Sequence, residues 1–474
     1  MKRIFLSFLT LAYLVAISCD PNIGSDDVHT PILSTFDKER GLIILPNDLL
    51  KNPETGRLAL PEASDDSELT KEIKSFMNML DGWLVSQTIT IPFEYELDKT
   101  TIRPENVLLF EIDIKNKTVT KKMASEYYVL YNFSKTPSDR PPFFITVKNK
   151  PSEKSGAMPE DFKQGYLYLV AVTSAVKTKD GKEIIENPVY YFLKKREPLL
   201  NAAKKSITIL SDEEALLLEV HRRLFNELFK LVETKDKDIR SKTIAFSFFS
   251  IQSGARALFN PAIVGQILPQ PNDLNGKANA PIDVKPYIYY DLPLDERTVA
   301  KGVTMMKLTG DQPIIIELAK IEVIEEKPKF KLQITPKNYL DKNSTYLVFT
   351  TNDIKSKHGV ETSAYSTFSI IRANSPLITK TSDNNYVLNS PLIDNTLDAL
   401  IFASKMGMLS EEANRNIALA TPDDWRTAYD LFLQNLIKLE ELRNAYQPLF
   451  NNIERGGIPR KNITSLWTFS TTSK

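Results

Sequence analysis

Tyr168-Leu-Val-Ala-Val-Thr173, followed by Val176-Lys177 and then Lys179-Asp-Gly181, occurs twice in this chain. The echo is Tyr346-Leu-Val-Phe-Thr-Thr351, then Ile354-Lys355 and Lys357-His-Gly359, in the same spacing. Each copy opens as a run of apolar and β-branched residues, which suits a strand. Each closes on a glycine placed for a turn that needs positive φ. Upstream of the first copy, Thr88-Ile-Thr-Ile-Pro-Phe93 leads into Leu97-Asp98-Lys-Thr-Thr101 and Asn106-Val-Leu-Leu-Phe110. Upstream of the second, Tyr289-Tyr290 leads into Leu294-Asp295-Glu-Arg-Thr298 and Val303-Thr-Met-Met306. Short strands recurring over about 90–110 residues predict a β-sandwich for each copy.

A second pattern follows each sandwich. Ser211-Asp-Glu-Glu214 is a capping-box start. It opens a helix whose apolar stripe reads Leu217, Val220, Leu224, Leu228 and Leu231, and the strand-like Ile244-Ala-Phe246-Ser-Phe248 comes after it. Near the end of the chain, Leu436, Leu439, Leu442, Tyr446, Leu449 and Ile453 form a comparable stripe, and Ile463-Thr-Ser-Leu-Trp467-Thr-Phe469 plays the strand. A shift of 221 residues aligns Leu218-Glu219 with Leu439-Glu440, Arg222 with Arg443, Leu228-Phe229 with Leu449-Phe450, and Phe248 with Phe469, without a gap. Pro448 should kink or restart the second helix. Thr421-Pro422-Asp-Asp424 and Ser410-Glu-Glu412 add helix starts to the second copy.

The expected fold is therefore mainly β with helical additions: tandem Ig-like β-sandwich domains, each followed by a helix-plus-strand segment. The predicted boundaries are a signal peptide over 1–18, a tether over 19–35, a first sandwich with its helical segment over 36–253, a linker over 254–282, and a second sandwich with its helical segment over 283–474.

Composition narrows the function. The 474 residues are 42% hydrophobic and 25% charged, ordinary values for a globular protein. Lys+Arg and Asp+Glu both number 60, so no global field favours nucleic acid, and no basic run interleaved with aromatics offsets that. A single cysteine rules out an internal disulfide, so stability must come from packing. His29, His221 and His358 lie far apart, a poor supply for a zinc site or a catalytic base. No cofactor or metal is expected.

The first residues, Met1-Lys2-Arg3 and an apolar run from Ile4 to Ile17, form a charged region and a hydrophobic region too short to span a bilayer comfortably. They end at Ala16-Ile17-Ser18-Cys19, which resembles the lipobox of bacterial lipoproteins, with Ala16 where Leu is more usual. The resemblance implies acylation of Cys19 and a lipid anchor in the cell envelope, at the cell surface or the periplasmic face of an outer membrane. Asp20 to Thr30, rich in Asp, Asn, Ser, Gly and Pro, reads as a flexible tether.

Two further stretches carry a family likeness: Leu45-Pro46-Asn47-Asp48-Leu49-Leu50 with Thr55-Gly56-Arg57-Leu58 and Pro61, and Asn78-Met-Leu80-Asp81-Gly82-Trp83 before Ile91-Pro92-Phe93. With the terminal Ile458-Pro459-Arg460 and Leu466-Trp467-Thr468-Phe469-Ser470-Thr471-Thr472, they resemble the non-catalytic N-terminal region of bacterial virulence-factor lipases, over most of residues 36–474. Those are surface lipoproteins in which an α/β-hydrolase follows this region. No Gly-x-Ser-x-Gly occurs here, so the family's hydrolase residues have no positions to land on. The sandwich units resemble bacterial Ig-like domains.

Candidate sites are few. His221, beside Glu219 and Arg222, reads as a helix-surface or half-buried residue rather than a catalytic base, because its repeat counterpart is Leu442. His358 sits in an exposed turn. Asn47-Asp48 and Asp81-Gly82 could offer oxygen ligands to calcium but lack the dense alternation of acidic ligands, and read better as turn-closing residues beside Trp83 or Phe93. Asp98 and Asp295 carry a turn signature. The leucine stripes read as core against a sandwich edge, with a groove for an acyl chain as the other reading. The expected function is a lipid-anchored, non-catalytic binding or adhesion module for a protein, glycan or lipid partner. The alternative is a lipid- or fatty-acid-binding protein acting beside a separate lipase.

Overall fold

The computed structural model describes residues 31–37, 42–133, 143–150, 162–259, 267–268, 280–309, 313–383, 385–393 and 396–472. Cys19, His29, the signal peptide, all but the end of the tether and much of segment 254–282 lie outside the described residues. The chain is mainly β-sheet with helices added.

In the first unit, strands β1 (Ile89–Phe93), β2 (Val107–Asp113), β3 (Thr118–Lys121), β4 (Tyr127–Phe133), β5 (Phe143–Asn149), β6 (Leu167–Thr173) and β7 (Thr243–Ser250) form two sheets. Their orders are β3-β2-β6-β7 and β1-β5-β4. Every residue of β6 is buried, which suits its composition, since it is paired on both edges and covered on both faces. Apolar side chains of both sheets join one core with Trp83, Phe162 and the helices α2 (Pro188–Leu193) and α3 (Asp212–Glu233).

The second unit repeats the arrangement. Strands β8 (Tyr287–Tyr290), β9 (Val303–Leu308), β10 (Ile314–Ile315), β11 (Leu318–Glu326), β12 (Lys329–Pro336), β13 (Thr345–Thr351) and β14 (Ile463–Ser470) form one sheet ordered β10-β9-β13-β14 and another containing β11-β12-β8. The short strand Arg256–Ala257 extends that second sheet, pairing with β8 and, in parallel, with Ser363–Ala364. Ile32–Leu33 and Ile184–Ile185 make the matching parallel pair in the first unit. Residues 255–259, expected within a linker, thus enter the second unit, where Ala255, Ala257 and Phe259 are core.

The register tests the repeat residue by residue. Tyr168 pairs with Phe249, and Tyr346 pairs with Phe469. The rings of both pairs stack, at 5.7 and 5.5 Å. Both ladders carry a bulge one residue before the end of the central strand. Phe249 is therefore the counterpart of Phe469, and the gapless shift that placed Phe248 there slips by one residue between helix and strand. Within the helices the 221-residue shift holds: Glu219 bonds Arg222 as Glu440 bonds Arg443.

The face that α3 buries matches the expected stripe in its second half, where Leu228 is buried and Leu231 packs against the core, and departs from it in the first half. Leu218, Arg222, Phe225, Phe229 and Val232 point inward, while Leu217, Val220 and Leu224 are 40, 65 and 54% exposed. Both sets have helical spacing, so periodicity alone cannot choose between them. The choice belongs to the sheet: Phe225 and Phe229 meet Phe246 and Phe248 at 5.0–5.7 Å, and such aromatic pairs add about 0.5–1.5 kcal/mol each.

The second unit carries helices α4 (Ser366–Ile371), α5 (Thr396–Lys405) and α6 (Pro422–Arg455). The capping box at Thr421/Asp424 and Pro422 in the first turn start α6 as its sequence predicts. Pro448 does not restart it; the helix runs on to Arg455. Tyr446, Phe450 and Ile453 are buried in the second core, and that packing holds the helix across the missing amide donor. The N-terminal half of α6 and α5 form a third apolar cluster that reaches Leu69 and Leu130 of the first unit.

Candidate functional site

The two units meet along a polar seam. Glu72, on α1 (Glu68–Met77), accepts hydrogen bonds from the amides of Asn374 and Ser375 at 2.6 and 3.0 Å. Thr70 and Ser86 join Ser390 and Ser366 through their hydroxyls at 2.8 and 2.7 Å. Arg57 meets Glu361 at 3.0 Å, and Lys148 meets Asp398 at 2.6 Å. Lys148 stands on the outer face of β5, where an uncovered sheet would leave a polar side chain in water; under the second unit's helices it is buried and needs its carboxylate.

Between these ties runs a cleft of about 850 Å³, a size that suits a small organic ligand. On the first-unit side its wall includes Leu60, Ile73 and Phe76; on the other side it includes Ile370, Phe402 and Leu431. Basic residues outnumber acidic ones along it. Arg372 lines it, only 5% exposed, with its guanidinium 4.4 Å from the Phe76 ring. Its Nη1 donates to the carbonyls of Lys461 and Ile463 at 3.0 and 2.7 Å, while its Nε finds no acceptor. Burial pushes this guanidinium down to about 9, because the charged form has lost water.

Of the candidate site residues singled out in the sequence, Asp81, Trp83 and, from the second leucine stripe, Leu436 and Leu439 line the cleft, and the rest lie elsewhere or serve the scaffold. Asp48 accepts from the Ser250 amide at 3.1 Å and from Trp83 Nε1 at 3.2 Å, and burial raises its carboxyl above the usual range. Asp81 accepts from the Ser253 amide at 3.0 Å and from its hydroxyl. Asn47 caps the turn at Leu49. These contacts pin the Asn47–Leu50 and Asp81–Trp83 stretches onto the end of β7. Among the described residues, no group of three or more His, Cys, Asp or Glu is placed to hold a metal ion.

Asp98 and Asp295 close equivalent turns, accepting from the amides of Thr100 and Arg297. Their own amides donate to the carbonyls of Lys177 and Lys355 at 3.0 and 2.8 Å. Gly181 and Gly359 take φ of 78° and 79°, as their turns demand. His221 is half-buried on α3, 6.4 Å from the Phe225 ring, and His358 is exposed in its turn. Neither lines the cleft.

Arg372 was not among the residues picked from the sequence. The signal that could have found it is the repeat itself. Carried on past Gly359, the spacing sets Arg372 opposite Lys194 and Ala364 opposite Glu186.

No protein-family model matches the chain, and no curated protein matches it. Among solved structures, it is similar to the N-terminal part of the bacterial S-layer protein SbsC at 12% identity, over 32% of this chain and 27% of that one, with a TM-score of 0.16. A likeness that small carries no argument about fold or function.

Proposed function

We propose that this chain is a non-catalytic bacterial lipoprotein, held in the cell envelope by lipid on Cys19, whose two Ig-like sandwiches form one ligand-binding body. The observation that carries the reading is the largely apolar cleft at the seam between the units. A deep concave surface with a few convergent polar groups is where ligands bind by default.

The Ig-like reading rests on a repeated device. The hydroxyl of Tyr168 accepts the Lys163 amide at 3.0 Å, and that of Tyr346 accepts the Asp341 amide at 2.8 Å. A tyrosine fixed to backbone a few residues upstream is the tyrosine corner of such sandwiches. The likeness to the N-terminal region of virulence-factor lipases is read as kinship of scaffold. The residues behind it, Asn47, Asp48, Asp81 and Trp83, make structural bonds. The anchor at Cys19 rests on the lipobox-like Ala16-Ile17-Ser18-Cys19; among the described residues no helix is long and apolar enough to cross a membrane.

A second surface favours a macromolecular partner. Leu216, Leu217, Val220 and Leu224 on α3 are all exposed, an apolar stripe of the kind that marks contact sites.

The test is to express the chain in a bacterial host, label with a radioactive fatty acid, and extract what co-purifies. The reading expects label on the wild type and none on Cys19→Ser, and a small molecule that is lost when Ile370→Trp fills the cleft. Unlabelled protein would refute the anchor. A chain that never yields a bound molecule from any envelope extract would refute the cleft.

A further inference from the structure

Comparison of the two units at one buried cation leads further than either unit alone. In the first unit Lys194, at the end of α2, donates to the Thr243 carbonyl at 2.7 Å and is neutralised by Glu186 at 2.5 Å. In the second unit Arg372 stands at the end of α4 and reaches the start of β14 in the same way, through the Ile463 carbonyl. The surroundings are otherwise copied. Arg240 Nη1 donates to the carbonyl of Lys194, and Arg460 Nη1 donates to that of Arg372. Each of those arginines lies 4.9 Å from a phenylalanine ring, Phe229 or Phe450. Each also holds a glutamate, Glu233 or Glu454. What the second unit lacks is the carboxylate, because Ala364 occupies the place of Glu186.

Ala364 and Arg372 both line the cleft. Arg372 makes no ion pair among the described residues, and a buried cation without a counter-charge is costly. The position has kept its positive charge in the form best shaped for a carboxylate or phosphate, a planar fork of donors. The surrounding wall is basic on balance and apolar in its body.

We propose that the cleft takes an amphipathic organic anion, with its acidic head at Arg372 in the space left by the missing glutamate. The apolar body lies along Ile73, Phe76, Ile370 and Phe402. This inference rests on the reading of the cleft as a binding site and names the chemistry of what it binds. Arg372 is a binding residue here, and Ala364 makes room for the head.

The full chain, reconstituted in phospholipid nanodiscs, is titrated calorimetrically with dodecanoate, dodecyl phosphate and dodecanol, with empty nanodiscs as the blank. The expected result is roughly tenfold or tighter binding of at least one anion over the alcohol, the size of a charge-assisted contact. Binding of dodecanoate alone or dodecyl phosphate alone identifies the head as carboxylate or phosphate. Arg372→Gln should reduce the anion to the alcohol's affinity. Ala364→Glu, which restores the internal partner found in the first unit, should do the same while raising the melting temperature. If one variant fails to fold, by circular dichroism, the other decides. Equal binding of anion and alcohol by the wild type overturns the inference and leaves the binding cleft standing, as does an anion preference that survives in a folded variant. No binding of any probe overturns the inference; whether the cleft reading falls with it is decided by the co-purification experiment.

Discussion

Glu219→Gln should destabilise the first unit more than any surface change on the same helix. The carboxylate is buried, its side chain 4% exposed, against Arg222 at 6%. It accepts from Arg222 Nε at 2.6 Å and Nη2 at 2.8 Å, from Arg223 Nε at 2.9 Å, and from the Leu199 amide at 2.9 Å. Glutamine keeps one acceptor oxygen and no charge, so the Arg222 guanidinium stays buried without its partner. Breaking such a pair from one side costs about 3–5 kcal/mol, a large share of the roughly 5–15 kcal/mol that holds a domain folded.

Urea unfolding, with hydrogen exchange to assign the loss to residues 194–233, measures this cost. Adding Arg222→Met removes the stranded cation and should recover most of it, because the pair itself is worth little net of desolvation. A single variant within about 1 kcal/mol of wild type, or a double variant no better than the single, would refute the reasoning. Acid offers an independent check. Hydrogen bonds from Arg222 hold the Glu219 carboxyl down to about 2, from an ordinary 4.5. The unfolded chain therefore takes up this proton first. The contribution is full above about pH 4.5 and drains away as pH falls toward about 2, and the variant should lack that part of the acid slope.

Three further outcomes are expected. Gly82→Ala would set a Cβ 2.7–2.8 Å from backbone atoms of Ser250, Ile251 and Gln252. It should cost about 2–3 kcal/mol, read by thermal melting, since backbone cannot step aside as a side chain does. Tyr346→Phe strands the Asp341 amide and should cost about 1–2 kcal/mol in urea unfolding; Tyr168→Phe should cost more, because its hydroxyl also donates to Glu111 at 2.8 Å. Val220→Ser with Leu224→Ser should leave the melting temperature within the scatter of surface substitutions while lowering hydrophobic-dye binding, since both side chains lie outside the core.

Much of the scaffold was legible in the residues alone. The repeated strand and its glycine turn, the capping box at Ser211 and the helix starts at Ser410 and Thr421 are local chemistry, and each stands where it was read. Asn47 likewise closes its turn at Leu49, as a short polar side chain beside a backbone amide tends to do, whereas Asp48 and Asp81, also read as turn-closing, instead tie their stretches to Ser250 and Ser253 far along the chain. Readings that failed needed a partner surface to decide them. Leu217, Val220 and Leu224 form as good a stripe as Leu218, Phe225 and Phe229, and only the phenylalanines of β7 say which one is buried. Pro448 breaks a helix in isolation; the second core holds it in place.

The sequence by itself determined a duplicated, strand-rich chain with capped helices, because strand alternation, caps and positive-φ turns act over a few residues. Only the tertiary structure decided that the second unit's helices cover the outer face of β4 and β5, and that the seam leaves a cleft. It also decided that Lys194 is ion-paired with Glu186, while Arg372, its counterpart in the repeat, is buried with no ion pair among the described residues. The seam joins residues hundreds of positions apart, Glu72 to Asn374 and Lys148 to Asp398, where no local pattern reaches.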